Sequence, residues 1–213
     1  FNIARLPEAQ SLGVAPALPE AVTKASAMLR SGSKVVIKVG RGATGAGAQV
    51  LALAERLDAV CVLSPSSVGI IPASHPRCMG VGGSKGSISG NYAMENADTL
   101  IVIGSRAVCQ SDCSRTGYPR VDHVVNINAD LFDAAHYNNT IALVGDVTTT
   151  LESLNEIVEK RQAGTPWLDE CAPQLEKWRE YLAQRTNGVT PQDTVWGRTV
   201  LTQPSAISQV LSW

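Results

Sequence analysis

Charge is scarce in this chain, and neither sign dominates it. Asp, Glu, Lys and Arg make up 17% of 213 residues, with 18 basic against 19 acidic side chains and a net charge of −1; a typical domain carries about a quarter charged. That balance gives nucleic acid no general attraction. Long apolar runs are also missing: no stretch approaches the roughly twenty residues a helix needs to cross a bilayer, and no secretory leader pattern opens the chain. Histidine is rare, with only His75, His123 and His136. None of the three has the context of a catalytic cleft histidine, and His75 beside Pro76 reads as structural. The cysteines are odd in number: Cys61, Cys78, Cys109, Cys113 and Cys171. An odd count in a chain this long argues against a disulfide framework and for a reducing, cytoplasmic setting. The close pair Cys109-x-x-x-Cys113 lacks a second pair or a histidine cluster at zinc spacing, so no metal ligand is assigned.

What the sequence does have is an α/β rhythm, with 44% apolar residues. Lys34-Val35-Val36-Ile37-Lys38-Val39 reads as a buried parallel strand. It runs into Gly40-Arg41-Gly42-Ala43-Thr44-Gly45-Ala46-Gly47, four glycines in eight residues. Ala48–Leu57 then has helix formers with apolar residues at helical spacing. Strand, glycine turn and helix open a βαβ unit, and a helix N-terminus at a strand end suits an anion or phosphate. Gly40, Gly42 and Gly45 satisfy G-x-G-x-x-G, a weak pattern alone. The acid that an NAD site wants at the end of the second strand is absent: Val60–Leu63 ends in Ser64-Pro65. Two readings of the glycines stay open, a phosphate cradle and a tight structural turn.

The rest follows in order. Residues 1–19 are irregular. Pro19-Glu20 opens a helix to about Arg30. Ser64–Gly90 reads as one long loop, in which Gly80–Gly86 forms a second candidate cradle and Lys85 is either a phosphate ligand or a solvated lysine. A helix at 89–96 leads to a strand at 99–103, which ends in Gly104-Ser105-Arg106. At such a strand end Arg106 holds a phosphate, stacks on a base, or pairs with Asp112. Residues 107–123 form another loop. Val124–Asn128 and Ile141–Val144 are the next strands. Asp130 and Asp146 are N-caps, the second for a helix running from Val147 to Arg161. Beyond Gly164-Thr165-Pro166, Leu168–Arg185 is a charged amphipathic helix, and Leu201 starts another. Five strands are placed and about six expected, in an open, mainly parallel sheet with helices on both faces. The chain starts at Phe1 and stops at Trp213 within a helical pattern, which reads as a piece of a longer protein.

From about Leu18 to Arg161 the chain resembles the central domain of thiamine-diphosphate-dependent enzymes of the acetolactate synthase superfamily. The likeness is carried by the order of several features. These are the helix Ala21–Leu29 before Lys34–Gly42, the helix Leu51–Leu57, His75-Pro76 with Gly80 beyond it, and Asn91-Tyr92-Ala93 before Ala97-Asp98. Thr99–Arg106 with its Gly-x-Arg end and Val124–Asn128 followed by Gly145-Asp146 complete the series. The segment Asn126–His136 with Leu143–Asp146 looks most like the branch that hydrolyses cyclic diketones.

The resemblance implies a central Rossmann-like domain over 1–163. Residues 164–213 would form a helical linker arm and the truncated start of a diphosphate-binding domain. It implies FAD or ADP, or an empty site, with nucleotide contacts at Gly40, Arg41, Gly42, Ser105, Arg106, Ile127, Asn128, Gly145 and Asp146. Cys109–Tyr118 lacks the Phe-Asp-Asp-Arg stretch that follows Gly-x-Arg in flavin-binding synthases. Thiamine diphosphate and Mg²⁺ would belong to the parent enzyme. The cofactor-activating glutamate lies in its pyrimidine-binding domain and the Gly-Asp-Gly…Asn motif in its diphosphate-binding domain, and Asn138-Asn139 has no Gly-Asp-Gly before it. No catalytic residue is therefore assigned. Implied partners are those two domains of the same chain and further copies of the parent in a homo-oligomer, with no nucleic acid and no membrane. The late tryptophans would anchor a neighbouring domain. The alternative is a free-standing FAD- or nucleotide-binding module of flavoprotein or sirtuin-like topology. An NAD-dependent deacylase of the sirtuin kind is a weaker reading, lacking a histidine in the right context.

Overall fold

The computed structural model describes residues 14–106, 109–113, 116–137, 139–161, 166–187 and 191–211. The opening segment to residue 13, Gly164-Thr165, Gly188, Asn138 and Trp213 lie outside the described residues. In chain order the elements are α1 (Pro19–Leu29), β1 (Val35–Val39), α2 (Gly47–Leu57), β2 (Val60–Leu63), β3 (Cys78–Val81), α3 (Ile88–Asn96), β4 (Thr99–Ile103), α4 (Cys109–Asp112), β5 (His123–Asn128), α5 (Leu131–Ala134), β6 (Thr140–Val144), α6 (Val147–Ile157), α7 (Trp167–Thr186) and α8 (Gln203–Leu211). The six strands form one sheet in the order β3-β2-β1-β4-β5-β6, and every pair is parallel.

That order reverses direction between β1 and β4, which makes their carboxyl ends the crevice where open α/β sheets take ligands. Strands buried on both faces read as continuous apolar runs, and β1, β2 and β4 are buried at every position. Alternate residues feed two cores. Val35, Ile37 and Val39 join Leu29, Leu53, Leu57, Leu151 and Leu154 in the core under α1, α2 and α6. Val36, Val62 and Val102 join Met94, Tyr118, Trp167, Cys171 and Leu175 in the core under α3 and α7.

Two expectations need correction. The stretch 64–90 is not one loop, because it contains β3. This strand has four residues, its register with β2 shifts, and Gly80 sits in the left-handed region, so no β-periodicity marks it. Helix α6 stops at Ile157 rather than Arg161: Val158 turns extended and is buried, and the Arg161 amide donates to the Arg56 carbonyl at 2.8 Å. Helix α7 of the C-terminal arm packs on the second core. Trp167 is fully buried, its indole N–H donates to the Val35 carbonyl at 3.0 Å, and Lys34 bridges Glu170 at 2.8 Å.

Candidate functional site

The glycine turn after β1 works mainly against the turn after β4. Gly40 N donates to the Ile103 carbonyl at 2.8 Å and Gly42 N to the Gly104 carbonyl at 2.9 Å. A Cβ on Gly40 would lie 2.3 Å from the Gly104 oxygen, and one on Gly42 2.8 Å from the Gly104 Cα. These glycines let two backbones touch, so two of the amides that a phosphate cradle would use are engaged within the fold. The second glycine run behaves alike. Gly82 N donates to Leu63 O, Gly83 N to Asn91 Oδ1 and Ser84 N to Gln110 O. Lys85 is exposed beside them.

Where the two turns separate from β2, a cleft of about 890 Å³ opens at the carboxyl end of the sheet. It lies in the size range of small-molecule sites. Gly40, Arg41, Gly42, Ser105, Arg106 and Asn128 line it. The other three residues assigned by resemblance lie elsewhere. Ile127 is fully buried in the first core. Gly145 packs on the backbone of residues 15–17, where a Cβ would come within 2.5 Å of the Ala17 nitrogen. Asp146 caps α6 by accepting from Thr149 N at 3.0 Å.

Asn128 links the cleft's parts: its Nδ2 donates to the Ser105 carbonyl at 3.1 Å, and its Oδ1 accepts from Asp130 N at 3.3 Å. Asp130 in turn caps α5 through Phe132 N and Asp133 N, which brings Asp133 to the cleft. Ser64, Pro65, Ser66, Gln110, Ser111 and Asp133 of the lining carried no site assignment from the sequence. Ser64, Pro65 and Ser66 follow β2, and Ser67 fixes that turn by donating to the Val39 carbonyl at 2.6 Å. Their signal was available, since a strand end beside a switch point faces the crevice. Gln110 and Ser111 come from α4 and had no local signal.

The Arg106–Asp112 pairing does not form. Asp112 is fully buried against Lys38, with Nζ to Oδ1 at 3.1 Å. His75 keeps a structural role, its Nδ1 accepting from Arg77 N at 3.2 Å. Cys61, Cys78, Cys113 and Cys171 are free, and burial pushes the Cys61 and Cys171 thiols up to about 12, out of nucleophilic range. Among the described residues no group of three His, Cys, Asp or Glu could hold a metal ion. Among the described residues no helix is long and apolar enough to cross a membrane.

The architecture is a Rossmann-like α/β domain with an all-parallel sheet and a polar cleft at its switch point. The thiamine pyrophosphate enzyme central domain family matches residues 22–154, and the chain belongs to that family. It is 30% identical over 164 residues to the acetolactate synthase isozyme 3 large subunit of Escherichia coli, covering 74% of this chain and 28% of that protein. The isozyme 1 large subunit is 27% identical over 161 residues, covering 75% of this chain and 29% of that protein. A 3D-(3,5/4)-trihydroxycyclohexane-1,2-dione hydrolase of Listeria monocytogenes is 26% identical over 162 residues, covering 71% of this chain and 25% of that one. The chain thus spans less than a third of the length of these curated relatives, and they include both synthases and a cyclic-dione hydrolase.

Proposed function

We propose that this chain is the non-catalytic central domain of a cytoplasmic thiamine-diphosphate enzyme acting on 2-keto acids or cyclic diketones, and that its switch-point cleft takes ADP or the ADP portion of FAD. The observation behind the nucleotide is the cleft itself, which sets Arg41 and Arg106 beside the hydroxyls of Thr44, Ser64, Ser66 and Ser105. Guanidinium groups suit phosphate oxygens, and Asp133 and Asn128 supply acceptors for ribose hydroxyls. Phosphate recognition falls to side chains because the amides of Gly40 and Gly42 are engaged.

Thiamine diphosphate with Mg²⁺ does not fit the same cleft. A hard cation wants carboxylate and carbonyl oxygens, whereas among the described residues of the lining Asp133 is the one carboxylate, against the two arginines Arg41 and Arg106. No step of thiamine chemistry is assigned to these residues. The pyrimidine- and diphosphate-binding domains of the same chain, and further copies of the parent enzyme, are the proposed partners. The exposed apolar side chains of the tail, with Trp196 at 68% exposure, favour this reading over a free-standing module.

The test is a thermal-shift titration with ADP, FAD and thiamine diphosphate. ADP or FAD at about 100 times its Kd adds about 2.7 kcal/mol, roughly 5–10 °C for a chain this long. Arg106→Ala should remove most of that shift. No shift with ADP or FAD overturns the nucleotide reading and leaves the scaffold role standing.

A further inference from the structure

The sheet face under α3 and α7 carries one residue that breaks its pattern. Lys38 shares that face with Val36, and its ladder neighbours on either side are Val62 and Val102, all three in the second core. Its side chain is 1% exposed. A valine or leucine would fill this position without desolvating a charge.

The ammonium group reaches up and out of the sheet. Lys38 Nζ donates to the Ser111 carbonyl at 2.6 Å and to Asp112 Oδ1 at 3.1 Å, and lies 5.6 Å from the Tyr118 ring centroid. Both hydrogen bonds land on the C-terminal residues of the single-turn α4. This is the turn that supplies Gln110 and Ser111 to the cleft. From the opposite side Ser84 N donates to the Gln110 carbonyl at 2.9 Å, and Gly83 packs so closely that a Cβ would lie 2.1 Å from the same oxygen. The 110–111 wall is therefore gripped at two points, one of them a buried charge. The polar cluster is not fully satisfied: Asp112 Oδ2 and Tyr118 Oη are buried without a hydrogen-bond partner. A cluster retained in that condition is a poor solution for stability alone.

We propose that Lys38 is a positioning residue of the cleft, fixing the 110–111 wall through Ser111 and Asp112 so that it meets the bound nucleotide. This inference rests on the nucleotide reading given above. Lys38 itself touches no ligand.

The test uses the double variant Lys38→Met/Asp112→Leu, which removes both charges and keeps their volume, so that the core stays filled. ADP affinity is measured by calorimetry, and amide hydrogen exchange is followed over residues 110–113. The expected result is a melting temperature within a few degrees of wild type, exchange at least about tenfold faster in the segment, and a Kd weakened about tenfold. Arg30→Gln, which breaks an exposed pair with Glu159, should leave both readouts unchanged. An unchanged Kd, or unchanged exchange in the segment, overturns the proposal. Should the double variant fail to fold, Asp112→Asn is read against the same two criteria. If the wild-type chain binds no ADP, the cleft reading has failed, and exchange alone decides whether Lys38 holds the wall.

Discussion

The two faces of the sheet are closed by different chemistry. Under α1, α2 and α6 the contacts are aliphatic: Leu29, Val50, Leu53, Leu57, Leu151 and Leu154 against Ile37, Ile101 and Ile103. Such a face asks for volume and shape, and it tolerates exchange among apolar residues. Under α3 and α7 the face holds Lys38, Asp112, Asn126 and Tyr118, and an indole N–H that must find a carbonyl. Each of these needs a particular partner, and most partners come from distant segments. Trp167 and Val35 are 132 residues apart, and Lys38 and Asp112 are 74 apart. The face bordering the cleft wall is the one held by specific bonds, and the aliphatic face serves as its support.

The largest break in this contrast is Trp167→Ala. It removes a fully buried indole, at about 3–5 kcal/mol, and takes away the N–H that donates to the Val35 carbonyl at 3.0 Å. Chemical denaturation should show most of the chain's stability lost, together with protease sensitivity within α7. A loss below about 1 kcal/mol would mean that the tail is not part of the second core.

Asp112→Ala comes next. It leaves the Lys38 ammonium buried without its counter-charge, and breaking a buried pair from one side costs about 3–5 kcal/mol. Ile37→Val, on the opposite face of the same strand, should cost only about 0.5–1.5 kcal/mol. Burial already lowers the Lys38 pKa, with Asp112 opposing the shift. Without Asp112 the lysine is expected to lose its proton more readily. Equal losses from Asp112→Ala and Ile37→Val would erase the distinction between the faces.

How legible these features were depends on where each residue finds its partner. Strands β1 and β4 announce themselves because burial on both faces leaves runs rich in β-branched residues. Strand β3 does not, being four residues long with a left-handed glycine in it. The switch-point cleft followed from strand ends, and Arg41, Arg106 and Asn128 do line it. Gln110 and Ser111 stayed invisible because they reach the cleft through contacts with Lys38 and Ser84, neither of them local. A signal did exist: a lysine in the middle of an otherwise β-branched run has to send its charge somewhere. The natural partner offered for Asp112 was Arg106, nearby in sequence, whereas burial selected the lysine beneath it. The glycines left two readings open, since sequence alone cannot tell a glycine that admits a ligand from one that admits another backbone.

The smallest effect concerns how α7 is tied down at the opposite end of the sheet. Glu170 accepts from Lys34 Nζ at 2.8 Å and from the Tyr92 hydroxyl at 3.0 Å. The hydrogen bond from Lys34, reinforced by Tyr92, holds its carboxyl below the usual range. A carboxylate whose pKa is depressed by folding stabilises the native state above its unfolded value, about 4.3. That stabilisation fades as pH falls through the lower folded value. A partly exposed pair of this kind contributes about 0.2–1 kcal/mol, so the chain as a whole should stay folded while this one tie loosens. Trp167 reports it directly, because Lys34 lies 5.3 Å over the indole and Tyr92 stacks at 6.5 Å. With Trp178, Trp196 and Trp213 replaced by phenylalanine, emission from Trp167 should change with acid below about pH 4.3, and Glu170→Gln should flatten that titration. The same acid change in the glutamine variant would assign the response to Asp98. Burial alone would raise the Asp98 pKa, but hydrogen bonds from Ser33, Lys34 and Thr99 hold it low at the same end of the sheet.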